Sequence, residues 1–196
     1  MLEYNPKMKS CIILTTVIST LSASTLPIKF QFNGQTPTLK GVSQCPGHED
    51  DALQVIGGSS PEEVCMPGDM QMDINTLISE DLPTDLILKL DLHKLDPFPM
   101  TVPCLNGIGS CEYELCPMIE DMADTLCPHF PASQPCNCPL LAGEFILDGL
   151  TVPVPDMGIL GAVMAGGYEA TATFYGASNK DKILGCLELT FTLQGC

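Results

Sequence analysis

Cysteine is the residue type in this chain with the most chemistry to offer. Cys104, Cys111, Cys116, Cys127, Cys136 and Cys138 crowd together with spacing C-x6-C-x4-C-x10-C-x8-C-x-C, while Cys45, Cys65, Cys186, Cys196 and Cys11 lie outside the cluster. Thiolates at this density either hold a metal ion or pair as disulfides. Zinc sites favour paired C-x2-C ligands, which are missing here, and an exported chain oxidises its thiols, so disulfides are the expected state. The other reactive groups form no constellation. His48, His93 and His129 are scattered, and Cys127 with His129 is no nucleophile–base pair if Cys127 is oxidised. No G-x-S-x-G elbow occurs, and Gly107-Ile108-Gly109 is too short for a phosphate fingerprint. Glu49-Asp50-Asp51 and Glu62-Glu63 offer weak Ca2+ ligands or, more simply, solvated acidic loops. No carboxylate pair stands out as a glycosidase acid and base. The expectation is a protein that is not an enzyme and carries no cofactor or metal.

Charge narrows the partners. The 196 residues hold 24 Asp+Glu against 8 Lys+Arg, a formal charge of −16, which argues against nucleic-acid binding. Mean hydropathy is +0.22 and only 16% of residues are charged, so this is not a disordered acidic tail. The eleven cysteines are an odd set, and the N-terminus accounts for the odd one. Lys7 and Lys9 precede an apolar run from Cys11 to Leu21, followed by small Ser22, Ala23 and Ser24. That is the layout of a secretory leader, with Met8 an alternative start and a buried N-terminal strand the competing reading. Cleavage near Ala23 or Ser24 removes Cys11 and leaves ten cysteines. It also removes Glu3, Lys7 and Lys9, taking the charge from −16 to −17. The expected organisation is a signal peptide over 1–24, a lead-in over 25–44 and one domain over 45–196, secreted or lysosomal.

The elements that must position these residues are mostly strands. Met70, Met72, Ile74 and Ile78 share one face, with Gln71, Asp73, Asn75 and Ser79 on the other, and Leu86, Leu88, Leu90 and Leu92 share another, with Asp85, Lys89, Asp91 and His93 opposite and Ile87 as the exception. The short link Ser79–Thr84 suggests that these two strands pair antiparallel. Further strands are expected over 145–154, broken near Asp148-Gly149, over 168–175 and over 186–193, with a polar hairpin loop from Gly176 to Lys182. Between Cys116 and Cys127, Met118, Met122 and Leu126 make an i, i+4 stripe with Pro117 in the first turn, which predicts one short amphipathic helix.

Val102–Cys111, the helix-bearing cysteines, Pro135–Pro139, Val64–Gly68, Val152–Asp156, Gly167-Tyr168 and Leu184–Cys186 together resemble the ganglioside GM2 activator family, within the MD-2-related lipid-recognition proteins. The resemblance covers roughly residues 44 to 195, with eight cysteines in the family's order. It implies an all-β antiparallel cup or sandwich around an apolar lipid cavity, with one short helix and disulfide staples. It also implies the pairs Cys45–Cys186, Cys104–Cys111, Cys116–Cys138 and Cys127–Cys136. Cys65 and Cys196 have no counterparts; they form a fifth bridge or an intermolecular one. Strand alternation alone does not separate a filled core from a hollow one, whereas the resemblance implies a hollow.

The implied function is that of a carrier that lifts a glycosphingolipid or phospholipid from a membrane and presents it, as an activator for a beta-hexosaminidase-type hydrolase. A secreted, disulfide-rich structural or defence protein on the same scaffold is the alternative. Candidate lipid contacts are Met118 and Met122 on the helix, Phe98 and Phe130 in Pro-flanked loops, and Ile159, Leu160, Val163 and Met164 in the apolar, glycine-bearing run 157–167, expected at the cup's mouth. Family members carry Trp near this mouth; this chain has none, so shallow aliphatic contact with the membrane surface is expected instead. Repulsion from anionic bilayers should weaken as carboxylates protonate, giving stronger vesicle binding at pH ~4.5 than at pH ~7.

Overall fold

The computed structural model describes residues 41–156, 158 and 161–196. The expected leader over 1–24, most of the lead-in, and Ile159 and Leu160 lie outside the described residues. Among the described residues there are ten strands: β1 (Val42–Gln44), β2 (Leu53–Ser59), β3 (Glu63–Met66), β4 (Gly68–Ile78), β5 (Leu86–Lys94), β6 (Met100–Thr101), β7 (Glu112–Glu114), β8 (Gly143–Val154), β9 (Gly166–Gly176) and β10 (Asn179–Gly195). Between β7 and β8 stand α1 (Leu115–Asp121), α2 (Ala123–Leu126) and a 3-10 turn (Cys127–His129); α3 (Gly161–Met164) precedes β9.

All ten strands join one curled sheet, in the order β6-β5-β9-β10-β2-β4-β8 with β1 and β3 on β10 and β7 on β5. The curl is made at β10. One edge of β10 pairs antiparallel with β9 from Asn179 to Leu193. Its other edge is shared by three strands in turn: β2 at Gly185↔Leu53, β1 over Leu187–Leu189, and β3 over Thr192–Gly195. The β2 and β3 pairings are parallel, so the sheet is antiparallel-rich rather than wholly antiparallel. Because β2 touches β10 at a single register position, the β2-β4-β8 layer folds back over the β5-β9-β10 layer. Gly185 marks this seam: a Cβ there would sit 2.8 Å from the Leu53 Cβ, closer than side chains tolerate.

The alternating faces expected from the sequence are those that look inward. Leu88↔Phe174, Leu90↔Ala172, Leu92↔Ala170 and Lys94↔Tyr168 are cross-strand pairs on β5 and β9, continued on β10 by Leu187, Leu189 and Phe191. The packed core lies where the two layers meet the helical segment, around Ile78, Leu82, Leu86, Leu115, Ile119 and Phe145.

Two expectations of local structure are corrected. β4 and β5 do not pair; β4 lies between β2 and β8, while β5 pairs with β9, β6 and β7. The link between them is no hairpin turn. Leu82 is buried in the core, and its N–H donates to the Leu140 carbonyl at 2.9 Å, so the segment carries the chain from one layer to the other. The single expected helix is two, because Met122 leaves helical geometry at φ −105°, ψ 19°. The i, i+4 stripe therefore splits, and Met122 is left exposed.

The other local signals correspond to defined features. The expected break near Asp148-Gly149 is a β-bulge, since Met72↔Leu150 is followed by Ile74↔Leu147. The final hairpin turns on Ala177 and Ser178, tighter than expected, with register shifts between Asn179 and Gly185.

Two carboxylates clasp these irregularities. Asp73 accepts hydrogen bonds from the Gly149 N–H at 2.8 Å and the Ser59 hydroxyl at 2.7 Å, and both hold its carboxyl below the usual range, Gly149 the more strongly. Asp85 accepts from the Ser178 N–H at 2.7 Å, and bonding to the Ser178 side chain and backbone likewise holds it low. Carboxyls lowered on folding stabilise above the unfolded pKa of ~3.9, and that contribution fades as pH falls through the lowered folded value. Both clasps are thus expected to persist at pH ~4.5. Asp73→Asn should speed Gly149 amide exchange at pH ~4.5, and the difference from the parent should shrink in stronger acid.

Candidate functional site

An apolar cavity of about 200 Å³ lies inside the curl, next to the packed core. The strands contribute Ile74, Leu88, Leu147, Leu150, Phe174 and Leu187, and the helical segment lies across them with Met118, Ile119 and Leu126. Phe130, just past the 3-10 turn, meets Phe145 edge-to-face with ring centroids 5.0 Å apart. Thr76 is the one polar residue lining the cavity, and its hydroxyl is spent on the Phe145 carbonyl at 3.1 Å. A wall without free donors or acceptors repels water and accepts hydrocarbon, as engineered apolar cavities of ~150 Å³ accept benzene.

Disulfides hold the frame around this cavity. Cys116–Cys138 and Cys127–Cys136 tie the start and end of the helical segment to the loop before β8. Cys45–Cys186 fastens the end of β1 to β10, and Cys65–Cys196 fastens β3 to the C-terminus, so the two cysteines without family counterparts bond to each other. Cys104–Cys111 closes a small loop beside β5.

The candidate contacts fall in three places. Met118 and Phe130 line the cavity together. Met122 sits on the outer side of the helix break. Phe98, Val163 and Met164 lie at the far end of the cup, where Phe98 is 72% and Val163 60% exposed and Met164 is half-buried. None of the described residues of the 157–167 run lines the cavity. The reason is register: the cavity centres on Leu88↔Phe174, whereas α3 is held at Lys94↔Tyr168, six residues or roughly 20 Å further along the same strand pair.

Lys94 is the residue that sequence reading passed over. It follows Leu92 by two and continues the inward face, so it is buried at 2% exposure, and its ammonium donates to the Val163 carbonyl. Its cross-strand neighbour Tyr168 donates its hydroxyl to the next carbonyl, Met164, at 2.6 Å. Burial raises the Tyr168 phenol above its ordinary pKa. The two donors grip the last carbonyls of α3, where a cation is electrostatically favoured. The strand residues lining the cavity were also unassigned from sequence; their period-two alternation was the available signal.

The histidines are engaged separately. His48 Nδ1 lies 2.7 Å from Asp51, His129 Nδ1 donates to the Asp148 carbonyl at 2.7 Å, and His93 Nδ1 lies 3.2 Å from the Thr101 hydroxyl. Among the described residues, no three His, Cys, Asp or Glu side chains converge as a metal site. A polar hollow near Ser59, Glu63, Asp69 and Gln71 contains neither a histidine nor a cysteine.

A curled, disulfide-stapled sheet closed by short helices over an apolar cavity defines a lipid-binding β-cup. The chain belongs to the ML-domain family, whose sequence model matches residues 41–193. Among curated relatives, the ganglioside GM2 activator of Mus musculus is 27% identical over 157 residues, covering 77% of this chain and 80% of the relative. The ganglioside GM2 activator of Macaca fascicularis is 26% identical over 160 residues, covering 77% and 81%. No helix among the described residues is long and apolar enough to cross a membrane.

Proposed function

We propose that this protein takes up the apolar part of one membrane lipid, a glycosphingolipid or phospholipid, and presents its headgroup to another protein without catalysing a reaction itself. The observation that carries this reading is the cavity, whose lining offers hydrocarbon contact and no free polar group. By scaling from benzene-sized cavities, about 200 Å³ takes roughly eight carbons of a tail. At ~0.8 kcal/mol per CH2 that is about 6 kcal/mol of gross burial.

The relatives' printed name, ganglioside GM2 activator, supports an activator role, which the family resemblance read from the sequence would place beside a hydrolase of the beta-hexosaminidase type. The five disulfides, together with the leader-like N-terminus, support a secreted or lysosomal setting. Native mass spectrometry of protein purified from its own source tests the reading. One co-purified lipid per chain is expected. A chain that stays lipid-free, and takes up none when offered glycolipid or phospholipid, would instead mark a structural or defence protein on the same scaffold.

A further inference from the structure

We propose that the disulfide-closed hairpin Cys104–Cys111 is a docking finger whose apolar tip, Leu105 and Ile108, enters the surface of a zwitterionic bilayer. Leu105 and Ile108 exchange backbone hydrogen bonds at 2.9 and 3.1 Å across a two-residue turn, in which Asn106 and Gly107 have φ of 52° and 76°. Two consecutive positive φ values make the tight turn that Asn-Gly favours. Directly opposed residues project their side chains to the same face, and these two are 66% and 57% exposed. The finger is braced. Cys104–Cys111 closes its base, the Ser110 N–H donates to the Val102 carbonyl at 3.0 Å, and the Tyr113 hydroxyl donates to the Gly107 carbonyl at 2.9 Å. Two large aliphatic groups are thus held out in water on a rigid support.

Charge selects the occupant. From Pro97 to Cys111 the sequence has no Asp, Glu, Lys or His, in a chain of formal charge −16. The same stretch exposes Phe98 and Met100. It leaves the cup at β6, where Met100 pairs with Lys94, the residue that grips the exposed Val163 turn. The neutral apolar side chains therefore share one edge of an acidic protein. Leu105 and Ile108 spend their backbone groups on each other and the Gly107 carbonyl accepts from Tyr113, so the two exposed aliphatic side chains are the apolar area the finger offers. A bilayer asks only for apolar area and freedom from charge repulsion. The purpose of docking rests on the lipid-uptake reading above; the chemistry of the finger does not.

The test uses the full mature chain, phosphatidylcholine vesicles in a flotation assay, and a short-chain lipid kept monomeric as a separate measure of cavity loading. Leu105→Ser with Ile108→Ser is expected to lower vesicle binding on the order of ten-fold or more, with monomeric lipid uptake unchanged. Because the chain has no Trp, Ile108→Trp supplies a single tryptophan, excited apart from the four tyrosines, whose emission should shift to the blue on adding vesicles. Undiminished vesicle binding by the double variant, or an unshifted Trp in vesicle-bound protein, would overturn the finger. So would a double variant that binds vesicles normally yet no longer engages a protein partner. Finger-dependent vesicle binding without any monomeric lipid uptake would support the finger and overturn the uptake reading instead.

Discussion

Replacing Cys45, Cys186, Cys65 and Cys196 together by alanine is expected to lower the unfolding free energy by about 5 kcal/mol or more, enough to unfold a typical domain of marginal stability at 37 °C. The Cys45–Cys186 and Cys65–Cys196 bridges span 141 and 131 residues, and chain-entropy reasoning assigns about 5 kcal/mol to a single loop of that length. The loops interleave, so either bridge alone already restricts most of the unfolded chain. Removing one is therefore expected to lower stability by only about 2–4 kcal/mol. Both bridges end on or just beyond β10, the strand on which the two layers are hinged. Their loss should loosen the β1 and β3 edges first. Breaking Cys104–Cys111, with a separation of 7, should cost less, about 2–3 kcal/mol, because the loop it closes is short. Denaturant unfolding under non-reducing conditions checks the order. A loss for the variant lacking both long bridges no larger than for the variant lacking Cys104–Cys111 would contradict the entropic account.

Filling the cavity is the second large effect. Met118→Trp from the helical side, and Leu147→Trp from the strand side, are each expected to reduce lipid occupancy ten-fold or more. Both residues face the same hollow of about 200 Å³, and an indole occupies the space a tail would take. Stability should fall by about 1–3 kcal/mol through overpacking, which leaves the domain folded. Native mass spectrometry reads occupancy, and thermal unfolding separates occupancy from stability. Val163→Asp is the contrasting variant. Its side chain is exposed and roughly 20 Å from the cavity centre along the strands, so uptake of a monomeric lipid should be unchanged. If both Trp variants load lipid like the parent, the tail lies elsewhere on the inner face.

The faces of the strands were legible in the sequence because side-chain direction in a strand follows a period of two regardless of partner. Leu86, Leu88, Leu90 and Leu92 mark one face by their spacing alone, without reference to any partner strand. The bulge at Asp148-Gly149 was legible too, as a polar-glycine interruption in an apolar run. Pairing was not. The compact Ser79–Thr84 link looked like a turn, and only the burial of Leu82 between layers shows why it crosses instead. Lys94 shows the same limit from another side. Its position on the dry face was readable, but nothing local announces a carbonyl at Val163, 69 residues away, to receive its ammonium.

What the sequence by itself determined is local or compositional: the alternating faces, the Asn106-Gly107 turn, the acidic shell, the uncharged stretch from Pro97 to Cys111, and the cysteine order that carries the family likeness. What only the tertiary structure decided is where those pieces stand relative to one another. The cavity lies at the Leu88↔Phe174 level of the cup, whereas the exposed Met100 and Val163 lie at the Lys94↔Tyr168 end. Met118 lines the hollow while Met122, four residues on, faces water. The physical reason is that a hollow is a property of the gap between two layers. That gap is set by how β10 shares its edge among β1, β2 and β3, and no periodicity within a single strand encodes it.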